Sequence, residues 1–298
     1  TMKKADRLNK LEMSKIRMTS KKMDAIEASG KKIIRFTYGE PNFNTPEYIK
    51  EAAKKAIDEN HTKYTDYCGT PAFQQAVVDK YERETGLKFK PGQVISTHGG
   101  AQAAYLVLTT FLNPGDEVII PNPMYNIYRI IGEICGATVK QYSLKEENQF
   151  QIDLKEMESL ITDKTKMIVI CSPSNPIGSV LTDENLRGLG ELIKDKDLLI
   201  CSDEMYATLV YDGVKASSPA AFDTMRDKTI IINGFSKEFA MTGWRIGYVI
   251  TPEEFFEPLY LHAGHQVSGM ADFIIEACTV ALNEAPQRGE TEKMRAEF

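Results

Sequence analysis

Lys166-Met167-Ile168-Val169-Ile170-Cys171, running straight into Ser172-Pro173-Ser174-Asn175-Pro176, is the stretch that decides the fold. After Lys166 the run is apolar at every position. A strand with one face in water would alternate apolar and polar side chains, so an unbroken run points to burial on both faces. Similar short strand runs recur at Val94 to Thr97, Glu117 to Ile120, Leu198 to Cys201, Thr229 to Ile232 and Gly247 to Ile250, and the more polar Thr138 to Tyr142 also reads as a strand. Helix-length segments lie between several of them, at Ala101 to Leu112, residues 124–135 and Thr182 to Ile193. Strands alternating with helices predict an α/β fold with a mainly parallel sheet covered by helices on both faces.

Outward from this block the pattern changes. Residues 1–36 form a polar, basic arm with short amphipathic pieces, and Thr37 to Pro46 is rich in Gly, Pro and Asn. A helix is expected from Pro46 through Ile57, with Thr45 as its cap and Glu47 in its first turn. A second helix is expected after Thr70-Pro71, and a third is capped by Thr182. Ala271 to Ala281 reads as a long helix, and the charged end from Gln287 to Phe298 is also helical in pattern. No linker composition divides residues 90–250.

The bulk numbers bound the function. A chain of 298 residues buries a substantial core. A net charge of -6 argues against a polyphosphate-binding surface, so no nucleic-acid partner is expected. The cysteines, Cys68, Cys135, Cys171, Cys201 and Cys278, are odd in number and form no CxxC pair, which fits a reducing cytoplasm better than a disulfide framework. His61, His98, His262 and His265 have no metal spacing. No 18-residue apolar stretch exists, so no membrane partner is expected, and the basic start lacks the apolar segment of a signal peptide.

Ligands of a parallel sheet sit beyond the C-terminal ends of its strands. Gly99, Gly100 and Ala101 lie between a strand and a helix, where free amides can receive a phosphate, although a plain tight turn reads the same way. Asp203 follows the strand at Leu198; it either pairs with a protonated ring nitrogen or simply caps the turn before Glu204. Asn175 offers an amide. Ser236-Lys237 follows the strand at Thr229 and precedes Arg245. Each alone has a bland explanation as a turn or surface residue. Together they suit an aldehyde cofactor held by the lysine as a Schiff base.

Gly39-Glu40-Pro41, Ser174-Asn175-Pro176-Ile177-Gly178, Ser202-Asp203-Glu204-Met205-Tyr206 and Asn233-Gly234-Phe235-Ser236-Lys237, running on to Met241-Thr242-Gly243-Trp244-Arg245-Ile246-Gly247-Tyr248, occur in this order. In these motifs, over roughly residues 33–298, the chain resembles the class I/II pyridoxal-phosphate-dependent aminotransferases of aspartate-aminotransferase type. The resemblance implies their fold type I, with a seven-stranded sheet. It implies transfer of an amino group from an L-amino acid to a 2-oxo acid through an aldimine on Lys237, which also shuttles the proton. It implies that Asp203 pairs with the ring nitrogen of pyridoxal 5'-phosphate, that Asn175 and Tyr206 bond its phenolic oxygen, and that Tyr125 stacks on the ring. Gly100, Ala101, Ser236 and Arg245 match the phosphate site. Tyr64 matches the tyrosine that reaches the neighbouring cofactor in a homodimer, and Gly39, with Asn175, a contact near the substrate carboxylate.

The chain departs from the family pattern at Gly234, where some branches have serine, and at Ile177, where threonine is usual. It also ends at Phe298, where family members normally continue into a small domain carrying the arginine for the substrate carboxylate. The expected division is therefore an arm and small-domain segment over 1–45, a cofactor-binding large domain over 46–285 and the start of the interdomain helix over 286–298, with turnover impaired in the chain as it stands. The same scaffold also serves lyases, decarboxylases and related amino-acid enzymes. A non-enzymatic fragment that only binds the cofactor is the remaining alternative.

Overall fold

The computed structural model describes residues 3–9, 11, 13–37 and 39–298. Helices α1 (Lys15–Ala28), α2 (Glu47–Asp58) and α3 (Pro71–Thr85) precede the first strand. Then follow β1 (Val94–Thr97), α4 (Gly99–Phe111), β2 (Glu117–Asn122), α5 (Ile127–Ile134), β3 (Thr138–Ser143), α6 (Leu154–Leu160) and β4 (Thr165–Cys171). The chain continues through α7 (Asp183–Ile193), β5 (Leu199–Asp203), α8 (Asp223–Arg226), β6 (Thr229–Gly234) and β7 (Gly247–Ile250), and closes with α9 (Glu253–Gln266), α10 (Asp272–Arg288) and α11 (Glu290–Glu297).

The seven strands form one sheet in the order β1-β7-β6-β5-β4-β2-β3. Strands β2 to β6 pair in parallel, and β7 runs antiparallel to both β1 and β6. The expected mainly parallel, seven-stranded α/β sheet is therefore present. Its apolar runs are unbroken because both faces are covered. In β4, Met167 and Val169 point into a core shared with α4, α5 and α9, while Ile168 and Ile170 point into a core under α6 and α7. Across β6 and β7, Ile231, Tyr248 and Ile250 face a third core built with α2, α3 and α10. Fully burying each such side chain contributes roughly 1.5–3 kcal/mol.

Helix ends follow local chemistry where the sequence supplies a cap. Thr70 accepts the Phe73 N–H at 3.3 Å, and Thr182 accepts the Asn185 N–H at 3.1 Å. Thr45 does not cap α2 as expected. Pro46 occupies the cap position without a side-chain bond. The Thr45 hydroxyl instead donates to the Ala240 carbonyl at 2.7 Å and accepts the Trp244 indole N–H at 3.1 Å. A tertiary demand outcompetes the local one, and residues 39–45 are tied to the loop after β6. Four helices went unread in the sequence: α1, whose hydrophobic pattern is weak, the short α6 and α8, and α9, which contains Pro258.

Behind the ends of β5 and β6 lies a buried polar network. Ser202 and Tyr81 donate hydroxyl hydrogen bonds to the two oxygens of Glu204 at 3.0 and 3.2 Å, and Asn233 donates to the Tyr81 hydroxyl at 3.0 Å. Burial pushes the Glu204 carboxyl up to about 7, against these hydrogen bonds. A carboxyl raised on folding contributes stability below its unfolded value, and that stability is lost as pH rises through the folded value. Replacing Glu204 by Gln removes the titration. Urea unfolding near pH 5 and near pH 8 is expected to show wild type losing roughly 2 kcal/mol relative to Glu204→Gln over that interval.

Candidate active site

The register of the sheet gathers the strand ends. Gly247, the first residue of β7, is the Cα partner of both Thr97 at the end of β1 and Gly234 at the end of β6. Cys171 and Ile232 flank Asp203 on the neighbouring strands. Asn175, Asp203 and Lys237 thus lie at or just beyond the C-terminal ends of three adjacent central strands, β4, β5 and β6.

At the β1 side, α4 begins with Gly99 at φ +76°, and a Cβ there would lie 2.7 Å from Nη2 of Arg245. Arg245 itself adopts a left-handed conformation, φ 54°, ψ 57°, which is uncommon for a residue with a side chain. Its Nη1 donates to the Thr242 carbonyl at 2.8 Å and its Nη2 to the His98 carbonyl at 3.5 Å. The guanidinium therefore lies against the first turn of α4, beside the amides of Gly100 and Ala101. A helix N-terminus and a fixed positive charge together make a site for a doubly charged phosphate. Ser236 is buried at the adjoining end of β6.

Asp203 is the last residue of β5. One carboxylate oxygen accepts the Tyr128 hydroxyl at 2.7 Å and the other accepts the Met205 N–H at 3.2 Å. Burial still raises its pKa above the usual carboxylate value. Both donors are neutral, so the charge left in this partly buried place favours a cationic ligand group. Gly100 is drawn into the same neighbourhood, since a Cβ on it would meet Met205 Cε at 2.7 Å.

Lys237 donates from Nζ to the Gly39 carbonyl, and the ammonium lies 5.8 Å from the centroid of the Tyr206 ring. Burial lowers the Lys237 pKa from its ordinary 10.5; the Arg245 charge pushes the same way and Glu40 opposes. The neighbouring Thr242 hydroxyl donates to Glu40, which closes residues 39–40 over the lysine loop. Next to the lysine, Glu238 is anchored by Lys80 at 3.1 Å. Asn175 donates from Nδ2 to the Tyr206 hydroxyl at 3.2 Å, and its carbonyl accepts the Tyr125 N–H at 3.1 Å. The Tyr125 ring is exposed.

Pyridoxal phosphate fits this donor set: a phosphate cradle that a Cβ on Gly99 would fill, a carboxylate suited to a ring cation, an amide and a phenol for an oxygen, and a lysine with a lowered pKa. Of the residues singled out in the sequence, Gly39, Gly100, Ala101, Tyr125, Asn175, Asp203, Tyr206, Ser236, Lys237 and Arg245 converge here. Tyr64 does not. It is 90% exposed and bridges to Ala271 at the start of α10. Tyr128 and Lys80 were missed, because their contacts with Asp203 and Glu238 join segments far apart in the chain and leave no local pattern; Met205 and Thr242 lay within the quoted motifs but were given no role. Gly234 also finds its reason. A Cβ there would lie 2.9 Å from Gly247 Cα and 3.0 Å from the Ile246 carbonyl, so serine would displace β7.

The profile of the family described as aminotransferase class I and II matches residues 31–298. The aspartate aminotransferase of Geobacillus stearothermophilus is 38% identical over 298 residues, covering all of this chain and 75% of the relative. Aromatic-amino-acid aminotransferase 2 of Thermococcus litoralis is 37% identical over 295 residues, covering 99% of this chain and 75% of the relative. Among solved structures, the aspartate aminotransferase of Rhizobium meliloti superposes with a TM-score of 0.95 at 32% identity, over 100% of this chain and 74% of that one. The chain thus spans about three quarters of the length of these relatives.

Two charges tune Lys237 in opposite directions, and their removal has opposite signs. In the cofactor-free protein, Arg245→Gln is expected to raise the ionisation midpoint of Lys237 and Glu40→Gln to lower it. The pH dependence of Lys237 modification by an amine-selective reagent, followed by peptide mapping, measures both. Gly99→Ala is expected to displace the Arg245 guanidinium and weaken binding of inorganic phosphate about tenfold, a loss of ~1.4 kcal/mol measurable by calorimetry.

Proposed function

The chain belongs to the class I and II aminotransferase family, and from that premise we propose how its own residues divide the work of moving an amino group from an amino acid to a 2-oxo acid. When bound, pyridoxal phosphate supplies a protonated ring that accepts the electron pair released as the substrate α-carbon loses its proton. The residues of the chain bind it, orient it and move the proton.

Arg245, Ser236 and the amides of Gly100 and Ala101 hold the phosphate. Asp203 keeps the ring nitrogen protonated. Asn175 and Tyr206 hydrogen-bond the ring oxygen, and Tyr125 covers one ring face. Lys237 is the covalent attachment point; once released by the incoming amine, its Nζ takes the proton from the substrate α-carbon and returns it. Its lowered pKa favours the free amine that this role requires. Gly39 and Asn175 lie at the substrate side, where the short segment over Lys237 also excludes water.

The observation that supports this reading most is Asp203. It is a carboxylate at a strand end, shielded from water, and held by two neutral donors. Burial raises its pKa, and a cationic ring nitrogen beside it would offset that cost and keep the carboxylate charged.

Residues 46–285 are assigned to the cofactor-binding domain, 1–45 to the arm and small-domain segment, and 286–298 to the start of the interdomain helix, where Gly289 at φ 68° breaks α10 from α11. The exposed Tyr64 is assigned to the phosphate site of a second copy, which makes the active form a homodimer. Five free thiols favour a cytoplasmic setting, and the net charge of -6 favours small-molecule substrates over nucleic acid. Among the described residues no helix is long and apolar enough to cross a membrane. The named relatives act on aspartate and on aromatic amino acids, which makes these the donors to compare first.

Addition of pyridoxal phosphate is expected to give a visible absorbance band that survives dialysis, and Lys237→Ala is expected to abolish it. Aspartate or an aromatic amino acid with 2-oxoglutarate is then expected to yield the matching 2-oxo acid only slowly, in keeping with the impaired turnover expected of the chain as it stands; release of ammonia instead would overturn the transfer reading. Mixing Lys237→Ala with Tyr64→Phe protomers tests the shared site, since a hybrid dimer pairs an intact Lys237 with an intact Tyr64 at one of its two sites. Recovery of tight cofactor retention is expected on mixing. A monomer by sedimentation, or no recovery, would refute the assignment of Tyr64.

A further inference from the structure

We propose that Tyr128 is a positioning residue for Asp203: its hydroxyl fixes the carboxylate and keeps it ionised against the desolvation of its site. The inference rests on the role given to Asp203 above and extends it to a residue outside the recognised motifs. Tyr128 lies in the first turn of α5 and is 1% exposed. Its hydroxyl donates to Asp203 Oδ2 at 2.7 Å, shorter than the 3.2 Å bond from the Met205 amide to Oδ1. A short hydroxyl-to-carboxylate bond is charge-assisted and stronger than a neutral one.

The placement is specific to that atom. Tyr128 packs in the core formed by α4, α5 and the same face of β4, β5 and β6, which leaves its polar tip at the strand end. The segment carrying it is also anchored beyond the neighbouring strand end, where the Tyr125 N–H donates to the Asn175 carbonyl at 3.1 Å. One short stretch, residues 125–128, therefore braces the ends of β4 and β5 together. Burial drives the Asp203 carboxyl towards its neutral form, and the Tyr128 hydrogen bond is the leading effect opposing it. The tyrosine remains a donor throughout, because burial and the Asp203 charge hold its own ionisation far above the usual range. A neutral Asp203 would no longer favour a charged ring nitrogen, so the hydroxyl acts on the cofactor through the carboxylate and without touching the reacting atoms.

Tyr128→Phe keeps the ring and its packing and removes only the donor. In the cofactor-free protein, the Asp203 carboxylate followed by carbon-13 NMR is expected to titrate at higher pH in this variant than in wild type. Affinity for pyridoxal phosphate, measured by equilibrium dialysis, is expected to fall about tenfold. Tyr142→Phe is the structural control: Tyr142 is equally buried, and its hydroxyl donates to the Val169 carbonyl at 3.2 Å. It is expected to leave both readouts at the wild-type values. An unchanged Asp203 titration and affinity in Tyr128→Phe, or the same changes in Tyr142→Phe, would overturn the inference. Asp203→Asn separates the two layers. If it binds the cofactor as wild type does, the role of Asp203 fails; if it loses affinity while Tyr128→Phe does not, only the role of Tyr128 fails.

Discussion

The structure depends on how closely backbone approaches backbone where β1, β7 and β6 meet. Gly247 has no room for a side chain: a Cβ would lie 2.8 Å from the Asn233 carbonyl oxygen and 3.1 Å from the Gly99 backbone. Gly234 faces Gly247 across the same junction. The pair lets β7 run antiparallel between two strands that point the same way, and so brings the start of α4 against the loop that follows β6. Arg245 and Lys237 both lie in that loop. The positions of the proposed phosphate cradle and of Lys237 are therefore set by a steric condition on Gly234 and Gly247.

Electrostatics build on that frame. Asp203, Glu204 and Glu238 are all carboxyls with raised pKa values near the C-terminal ends of the central strands, yet their surroundings differ. Glu204 is held by hydroxyls that suit either protonation state. Glu238 faces the buried Lys80 ammonium. Asp203 also has only neutral donors, but it stands at the end of β5 among the residues that converge with Lys237, where a cationic ligand group can reach it. Lys237 is tuned by burial and by two opposed charges, and the segment from Gly39 to Thr45 is fastened to its loop through Glu40 and Thr45. One cluster thus joins binding, protonation and covering of the site.

Much of this was legible along the chain. The strand runs at Thr165, Leu199 and Thr229 were visible because a sheet covered on both faces needs apolar side chains at every position. The turns after them were visible because polar and glycine residues follow each run abruptly. Thr70 and Thr182 announced their helices through local hydrogen bonds. Thr45 misled, since the bond it makes is to Ala240, far along the chain, and no window of sequence contains both. Helix α9 was hidden by Pro258 and by a hydrophobic face too weak to show its period.

The sequence by itself determined the order of strands and helices and the residue types waiting at the strand ends, because hydrophobic period and turn chemistry act over a few neighbouring residues. It also carried the cofactor-binding motifs, from Asn175 through Arg245. Only the tertiary structure decided that Tyr128 meets Asp203, that Thr45 binds the lysine loop, that a side chain at Gly234 would crowd Gly247 and that Tyr64 stands exposed beside Ala271. Those outcomes depend on which segments lie side by side once the sheet closes, and chain separation carries no local signal of them.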